Sequence, residues 1–366
     1  MNPPQLHTTP LIPSSNRYFN AKNVKIGIIL FLGITILGYA FIFFNNNTGI
    51  SLNAIKRFEP EFFVILIMLV FGDWWFGAYR NHIFVKKLIP DISISVTFVA
   101  NLSNIFMGAV TPSQTGGGPM HLYMLNRKGV KVTDGIAISI INFISTMLFL
   151  IISTGIALYF LRNNELGKSL NIMIHSGFAL FSILFMLLSI GLIAPSLFKK
   201  WITALGRFFV RISNNKRLQI EKYVQLVTSS LYDYNQTVSF FLRKNPDMML
   251  SSLLLTMVLF INKYIIGYFI LLAMGYEADF WMVIALHALI TFLLYFAPSP
   301  GASGLAEISI AVLMGQIIPV TGLATFTILQ RFFTLILPAS IGAIFVFKEF
   351  GKHTRELSST HPSINH

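Results

Sequence analysis

The chain has 366 residues, 54% of them hydrophobic and 11% charged, with no cysteine and a formal charge of +13; its mean hydropathy is +0.69. That apolar content exceeds what a soluble core of this length can bury and places the chain in the membrane class, while the absence of thiols excludes disulfides and thiolate metal sites. In a membrane protein the positive balance points to a Lys- and Arg-rich cytoplasmic face beside anionic lipid, not to nucleic acid.

Residues 1–24 are polar and read as a disordered cytoplasmic tail. The apolar run over 25–44 is too long for a signal-peptide core. It is followed by Asn45-Asn46-Asn47 in place of a small-residue cleavage site, so it reads as a first spanning helix. Further apolar stretches cover about 62–79, 92–110, 135–161, 172–193, 249–273, 281–297, 302–318 and 326–347. Most reach the roughly 20 residues that a bilayer core requires. The segment 196–247 differs, mixing nine basic and three acidic side chains with aromatic residues such as Trp201, Phe208 and Tyr223. It reads as a cytoplasmic amphipathic insert on the membrane surface, and residues 348–366 as a cytoplasmic tail.

Two apolar regions are interrupted. Thr111-Pro112-Ser113-Gln114-Thr115-Gly116-Gly117-Gly118-Pro119 cannot continue a helix, and neither can Ala297-Pro298-Ser299-Pro300-Gly301-Ala302-Ser303-Gly304. At membrane depth such backbone must be buried in protein or line a wet cavity. The arrangement is explained if 92–126 is a re-entrant hairpin entered from the cytoplasm and 281–318 its counterpart from outside. Of the 27 basic residues, four (Lys56, Arg57, Arg162, Lys168) then fall outside and two (Lys263, Arg331) within the membrane, which leaves 21 cytoplasmic.

Pro112 precedes Pro298 by 186 positions, and the same shift superposes the helices beginning near 62 and 248 and those ending near 161 and 347. The expected fold is therefore an all-α polytopic membrane protein of two inverted repeats, 25–161 and 172–347, each holding a re-entrant helical hairpin. That is about six full spans plus two hairpins, or eight or more transmembrane segments. Paired interrupted segments in two inverted halves are a transporter signature, with the binding site at the repeat interface.

Thr111-Pro112-Ser113-Gln114, Gly116-Gly117-Gly118-Pro119, the Leu-Asn-Arg-Lys-Gly tail at 125–129, Pro298-Ser299-Pro300-Gly301 with Gly304 and Glu307, and Gln330-Arg331 together resemble a flippase-like membrane family. That family includes the transmembrane half of lysylphosphatidylglycerol synthases, and the resemblance spans roughly 25–347. It implies an inner-membrane translocator of lipids or lipid-linked precursors, in some relatives fused to a soluble aminoacyltransferase or glycosyltransferase domain. No stretch of this chain outside the apolar runs has the length of such a domain. Gly118 departs from the pattern, since many relatives carry an acidic residue there.

The ionisable residues at membrane depth are few: Asp73, Lys263, Glu307 and Arg331, joined by His121 and His287. Each is costly there and is a functional hypothesis by default. The 186-residue shift pairs Glu307 with His121, one titratable group per hairpin, as proton coupling requires; Glu307 serves equally as a structural partner of Arg331 or Lys263. Lys263 and Arg331 suit a phosphate, and an internal salt bridge to Asp73 or Glu307 accounts for the same cations. The N–H groups freed at Gly116, Gly117 and Gly301 suit an anion, with Gln114, Ser113 and Ser299 adding hydrogen bonds; tight helix crossing explains the same glycines. Asn101, Asn104 and Asn142 line a cavity or glue helices together. Trp74, Trp75, Tyr79 and Arg80 read as interfacial anchors. The histidines have no metal-ligand spacing and no Gly-Lys-Ser/Thr phosphate loop is present, so no cofactor, metal or catalytic residue is assigned.

The expected function is translocation of an anionic lipid or polyprenyl-phosphate-linked intermediate across the inner membrane, with N- and C-termini cytoplasmic and membrane lipids as the main partners. One alternative is an intramembrane lipid-modifying transferase using Glu307 or His121 as base. Another is a non-catalytic partner that recruits a cytoplasmic synthase through 196–247, and a homo-oligomer is compatible with either.

Overall fold

The computed structural model describes residues 60–162, 168–193, 234–295 and 297–360, with the isolated positions Ile29 and Gly33. The expected span over 25–44, the N-terminal tail and most of the segment 196–247 lie outside the described residues. Every regular element among them is helical: α1 (Pro60–Leu88), α2 (Ile94–Val110), α3 (Gly117–Asn126), α4 (Val132–Phe160), α5 (Lys168–Ile193), α6 (Asp247–Ala273), α7 (Phe280–Leu294), α8 (Leu305–Met314), α9 (Val320–Arg331) and α10 (Leu337–Thr360). Stretches long and apolar enough to cross a bilayer are Glu61–Leu88, Val132–Phe160, Asp247–Ala273 and Val320–Lys352, the last running through α9, a π turn over Phe332–Ile336 and α10. The protein is an all-helical polytopic membrane protein.

Helix α1 illustrates why these segments are membrane helices. Leu66, Val70, Asp73, Gly77, Asn81 and Phe84 recur at intervals of three or four and form one buried stripe. The opposite face is also apolar yet exposed, with Met68 at 67% and Phe71 at 57%. Only hydrocarbon makes such a face favourable.

The hairpin arms are shorter. Helices α2 and α7 have 17 and 15 residues, and α3 and α8 have 10 each. At about 1.5 Å of rise per residue the last two cover about 15 Å, half a bilayer core of about 30 Å. Between the arms of the first hairpin Thr111 is extended, Pro112 opens a single 3₁₀ turn, and Ser113 and Gln114 take positive φ values of 50° and 56°. The second tip repeats the sequence of backbone states: Ser299 is extended, Pro300 opens the turn, and Gly301 and Ala302 have φ values of 55° and 59°.

This backbone match corrects the register read from the sequence. Helices α2 and α7 begin 186 residues apart, but the tips, α3 and α8, and α4 and α9 all begin 188 apart. The cause is the second hairpin's entry. Five residues separate the end of α7 at Leu294 from Pro300, whereas a single residue separates α2 from Pro112. Pro112 therefore corresponds to Pro300, and the shared Pro-Ser letters occupy different conformations, left-handed at Ser113 and extended at Ser299. At this register Glu307 corresponds to Pro119, so the expected pairing of His121 with Glu307 does not hold.

The two sets of elements interlock. Helix α1 packs along α6, α10 packs on the hairpin arm α2, and α4 packs on the hairpin arm α7. Asn262 Nδ2 donates to the Leu69 carbonyl at 2.8 Å and ties α6 to α1. Asn142 is helix glue: it donates to Asn81 Oδ1 at 2.9 Å and accepts from Ser252 Oγ at 2.8 Å, joining α4 to α1 and α6. The described end of the basic segment packs on the protein. Val238 and Phe241 are buried, Phe241 meets Phe84 edge-on at 5.0 Å between centroids, and Thr237 bonds Asp134.

Helix α10 approaches α2 closely at Gly342, where an added Cβ would collide with the Leu102 backbone carbonyl. The substitution Gly342→Ala is expected to cost about 1–3 kcal/mol through overpacking, seen as a fall in the thermal unfolding midpoint of detergent-purified protein. Gly155→Ala on α4, where a Cβ meets open space, is expected to leave the midpoint unchanged or raise it.

Candidate functional site

The two hairpin tips touch. The backbone N–H of Ser113 donates to the Pro298 carbonyl at 3.0 Å, and the Ser113 hydroxyl reaches the same oxygen at 3.3 Å. Beside this contact lies a cavity of about 330 Å³ bounded by both sets of elements. The first set supplies Asp73, Gly77 and Arg80 from α1, Asn101 and Asn104 from α2, and Gln114 from the tip. The second supplies Lys263 from α6, His287, Thr291 and Tyr295 from α7 and its end, Gly301 from the tip, and Gln330 and Arg331 from α9. Its size is at the low end for small-molecule sites, about 300–1,000 Å³.

Two of the cations are held by carboxylates of the chain. Lys263 Nζ lies 2.7 Å from Asp73 Oδ1 and 2.9 Å from Oδ2, a bond between α6 and α1. Arg331 Nε lies 3.2 Å from Glu307 Oε1, and its Nη2 donates to the Gly301 carbonyl at 2.8 Å and to Ser303 Oγ at 3.2 Å. Glu307, fully buried, also accepts from the Gly304 N–H at 2.6 Å. Gly304 needs that support because its φ of 87° places it outside the helix it precedes. Together the pair fastens the second tip to α9 at the residue before the π turn.

Other residues singled out from the sequence have different places. Gly116 and Gly117 do not line the cavity. A Cβ on Gly116 would strike the Thr111 side chain and one on Gly117 the Asn104 side chain, so these glycines let α3 close against the end of α2. Thr111 Oγ1 accepts from the Gly116 N–H at 2.9 Å and donates to the Met107 carbonyl at 2.6 Å, which satisfies the break. His121 is buried on α3 away from the cavity wall, and Ser299 spends its hydroxyl on the Ser303 carbonyl at 2.6 Å. Asn101 and His287 hold equivalent places on α2 and α7, 186 residues apart, and each presses on a glycine of the preceding helix, Gly77 and Gly267. Among the described residues no three His, Asp or Glu side chains gather as metal ligands.

Arg80 is the main residue missed. Helix α1 continues eight residues beyond it, to Leu88, so Arg80 belongs to the helix body and its side chain turns into the cavity. Trp74 is likewise buried, not interfacial, whereas Trp75 and Tyr79 are exposed. The signal was available: Asp73, Gly77 and Arg80 fall at i, i+4 and i+7, one face of one helix.

The Glu307–Arg331 pair has a measurable worth. Glu307→Ala leaves a buried guanidinium without its counter-charge and is expected to cost about 3–5 kcal/mol. Adding Arg331→Met should recover part of that loss, giving a non-additive double-mutant cycle in thermal unfolding. Additive effects would show that the contact carries no coupling.

Residues 26–342 match the family described as "Lysylphosphatidylglycerol synthase TM region". A "UPF0104 membrane protein" of Archaeoglobus fulgidus is 26% identical over 331 residues, covering 88% of this chain and 95% of that protein. The family match runs through both tips and the cavity, and this chain belongs to the family of the lysylphosphatidylglycerol synthase transmembrane region.

Proposed function

We propose that this protein is a lipid translocator of the inner membrane, with both termini cytoplasmic and its second set of elements inserted opposite to the first. Its cargo is an anionic lipid or polyprenyl-phosphate-linked intermediate, whose headgroup passes through the cavity beside the tips while its chains stay in the hydrocarbon. The observation that carries this reading is the meeting of the two tips, with ionised and amide side chains from both sets of elements around one cavity. Polar groups at this depth are expensive and mark solute pathways by default, and helices broken at matching places are how transporters expose backbone to a solute. Family membership supports the same class, since a lysylphosphatidylglycerol synthase acts on a phospholipid. In this reading the cavity opens to one leaflet and then the other as the tips part and rejoin, and the Arg331–Glu307 brace keeps the second tip in shape during the exchange.

The chain has no cysteine of its own, so a tip-to-tip disulfide can be installed without a background. The double variant S113C/P298C, placed in phosphatidylcholine vesicles doped with fluorescent phosphatidylglycerol, is expected to flip the label when reduced and to stop when oxidised. Equal flipping in the two states would refute tip separation as the transport step. A parent protein that flips no anionic lipid would sink the translocator reading as a whole.

A further inference from the structure

Arg80 is the one Lys or Arg on the cavity wall that forms no salt bridge among the described residues; the Asp73 carboxylate acts on it only through space. Its position is built, not adventitious. Both of its hydrogen bonds leave from Nη1, to Thr146 Oγ1 on α4 at 2.9 Å and to Thr256 Oγ1 on α6 at 3.0 Å. Each threonine hydroxyl spends its own hydrogen on a carbonyl one turn back, Asn142 at 2.9 Å and Ser252 at 2.6 Å. With that hydrogen spent, each hydroxyl can only accept, and Arg80 is the donor to both. The guanidinium is therefore held from one corner by two helices. Its Nε has no partner, and no bond is made by Nη2. The unpaired edge is the Nε–Nη2 side of the fork, its Nε buried without a partner; that side takes two oxygens of a carboxylate or phosphate at once.

The charge balance narrows the ligand. Arg80, Lys263 and Arg331 bring three positive charges to the site, and Asp73 and Glu307 bring two negative ones, which leaves one positive charge on Arg80. We infer that the open edge of Arg80 binds a singly charged phosphodiester oxyanion in this cavity. A phosphomonoester dianion would leave an unmatched negative charge beside Asp73. A zwitterionic headgroup would bring an ammonium for which no carboxylate is free, since Asp73 holds Lys263 and Glu307 holds Arg331. The amide side chains of Asn101, Asn104 and Gln114 on the same wall suit the hydroxyls of an uncharged polyol attached to that phosphate. The inference rests on the translocator reading only in taking a membrane lipid as the source of the phosphodiester.

The test uses the purified full chain in a maltoside detergent, titrated with four probes while its thermal unfolding is followed. The probes are dihexanoylphosphatidylglycerol, dihexanoylphosphatidic acid, dihexanoylphosphatidylcholine and inorganic phosphate. Saturable binding of the phosphatidylglycerol is expected, with the phosphatidic acid about tenfold weaker and no saturation by the other two. R80Q should lose the phosphatidylglycerol about tenfold or more. R80K keeps the charge and loses the fork, and should weaken binding while remaining folded. Unchanged affinity in R80Q overturns the assignment. If R80Q does not fold, unchanged affinity in R80K does so. Tighter binding of the phosphatidic acid overturns the charge argument, and equal binding of inorganic phosphate overturns a lipid source. Flipping that persists in folded R80Q removes this site and leaves the translocator. Arg80-dependent binding in a protein that flips no lipid removes the translocator and leaves the site.

Discussion

A backbone that leaves the helix at membrane depth must find its hydrogen bonds within the protein, because hydrocarbon offers none. The protein meets this constraint twice, by different means. At the first tip Thr111 turns its hydroxyl both ways, to the Met107 carbonyl behind it and the Gly116 N–H ahead. At the second tip charge does the work, Glu307 receiving the Gly304 N–H and Arg331 donating to the Gly301 carbonyl. What neither tip satisfies alone they share, the Ser113 N–H with the Pro298 carbonyl. The packing follows from this demand. Helices α10 and α4 each lie on the other set's hairpin arm.

The same low dielectric governs the ionised groups. A buried ion pair is weak as a source of stability but strong as a specification, since its partners tolerate almost no other arrangement. Asp73–Lys263 fixes α1 against α6, and Glu307–Arg331 fixes the second tip against α9. Both cations that looked like phosphate ligands in the sequence are thus engaged in holding the framework. Arg80 is the remainder, and the two threonines that hold it come from α4 and α6, so all three helices converge on the group with spare binding capacity.

Much of this was legible in the sequence. The apolar runs, the two breaks and the six ionisable residues at membrane depth follow from composition and spacing, because helix breaking by Pro and Gly and the cost of buried charge are local properties. The acid–base pairs were legible as alternatives; which carboxylate meets which cation depends on how α1 lies along α6, and no local signal records that. Arg80 was hidden by the end of its hydrophobic run near Tyr79, yet α1 continues for about two turns more with Asn81, Phe84 and Val85 packed inward. The two breaks were visible, but the register set between them rested on letters. Ser113 and Ser299 share a side chain and differ in backbone state, and only backbone state counts at a tip.

The two tips are not equivalent, and the difference bears on how a cavity between them could change its exposure. Ser113, Gln114 and Ala302 all occupy the left-handed region without being glycine, at about 1–2 kcal/mol per residue. Such strain persists only where the surroundings over-determine it. The second tip is over-determined: Pro300, Gly301, Ala302 and Ser303 are buried, and an ion pair braces them. The first tip carries two of the three strained residues, yet Pro112 to Thr115 are exposed and no charged side chain holds them. Releasing the second tip means separating a buried carboxylate from a buried guanidinium. Releasing the first means giving up the shared Pro298 carbonyl and relaxing two strained dihedrals. The first tip is therefore the less firmly held of the two, with Gln114 on the cavity wall and the Thr111 hydroxyl joining the Met107 carbonyl to the Gly116 N–H.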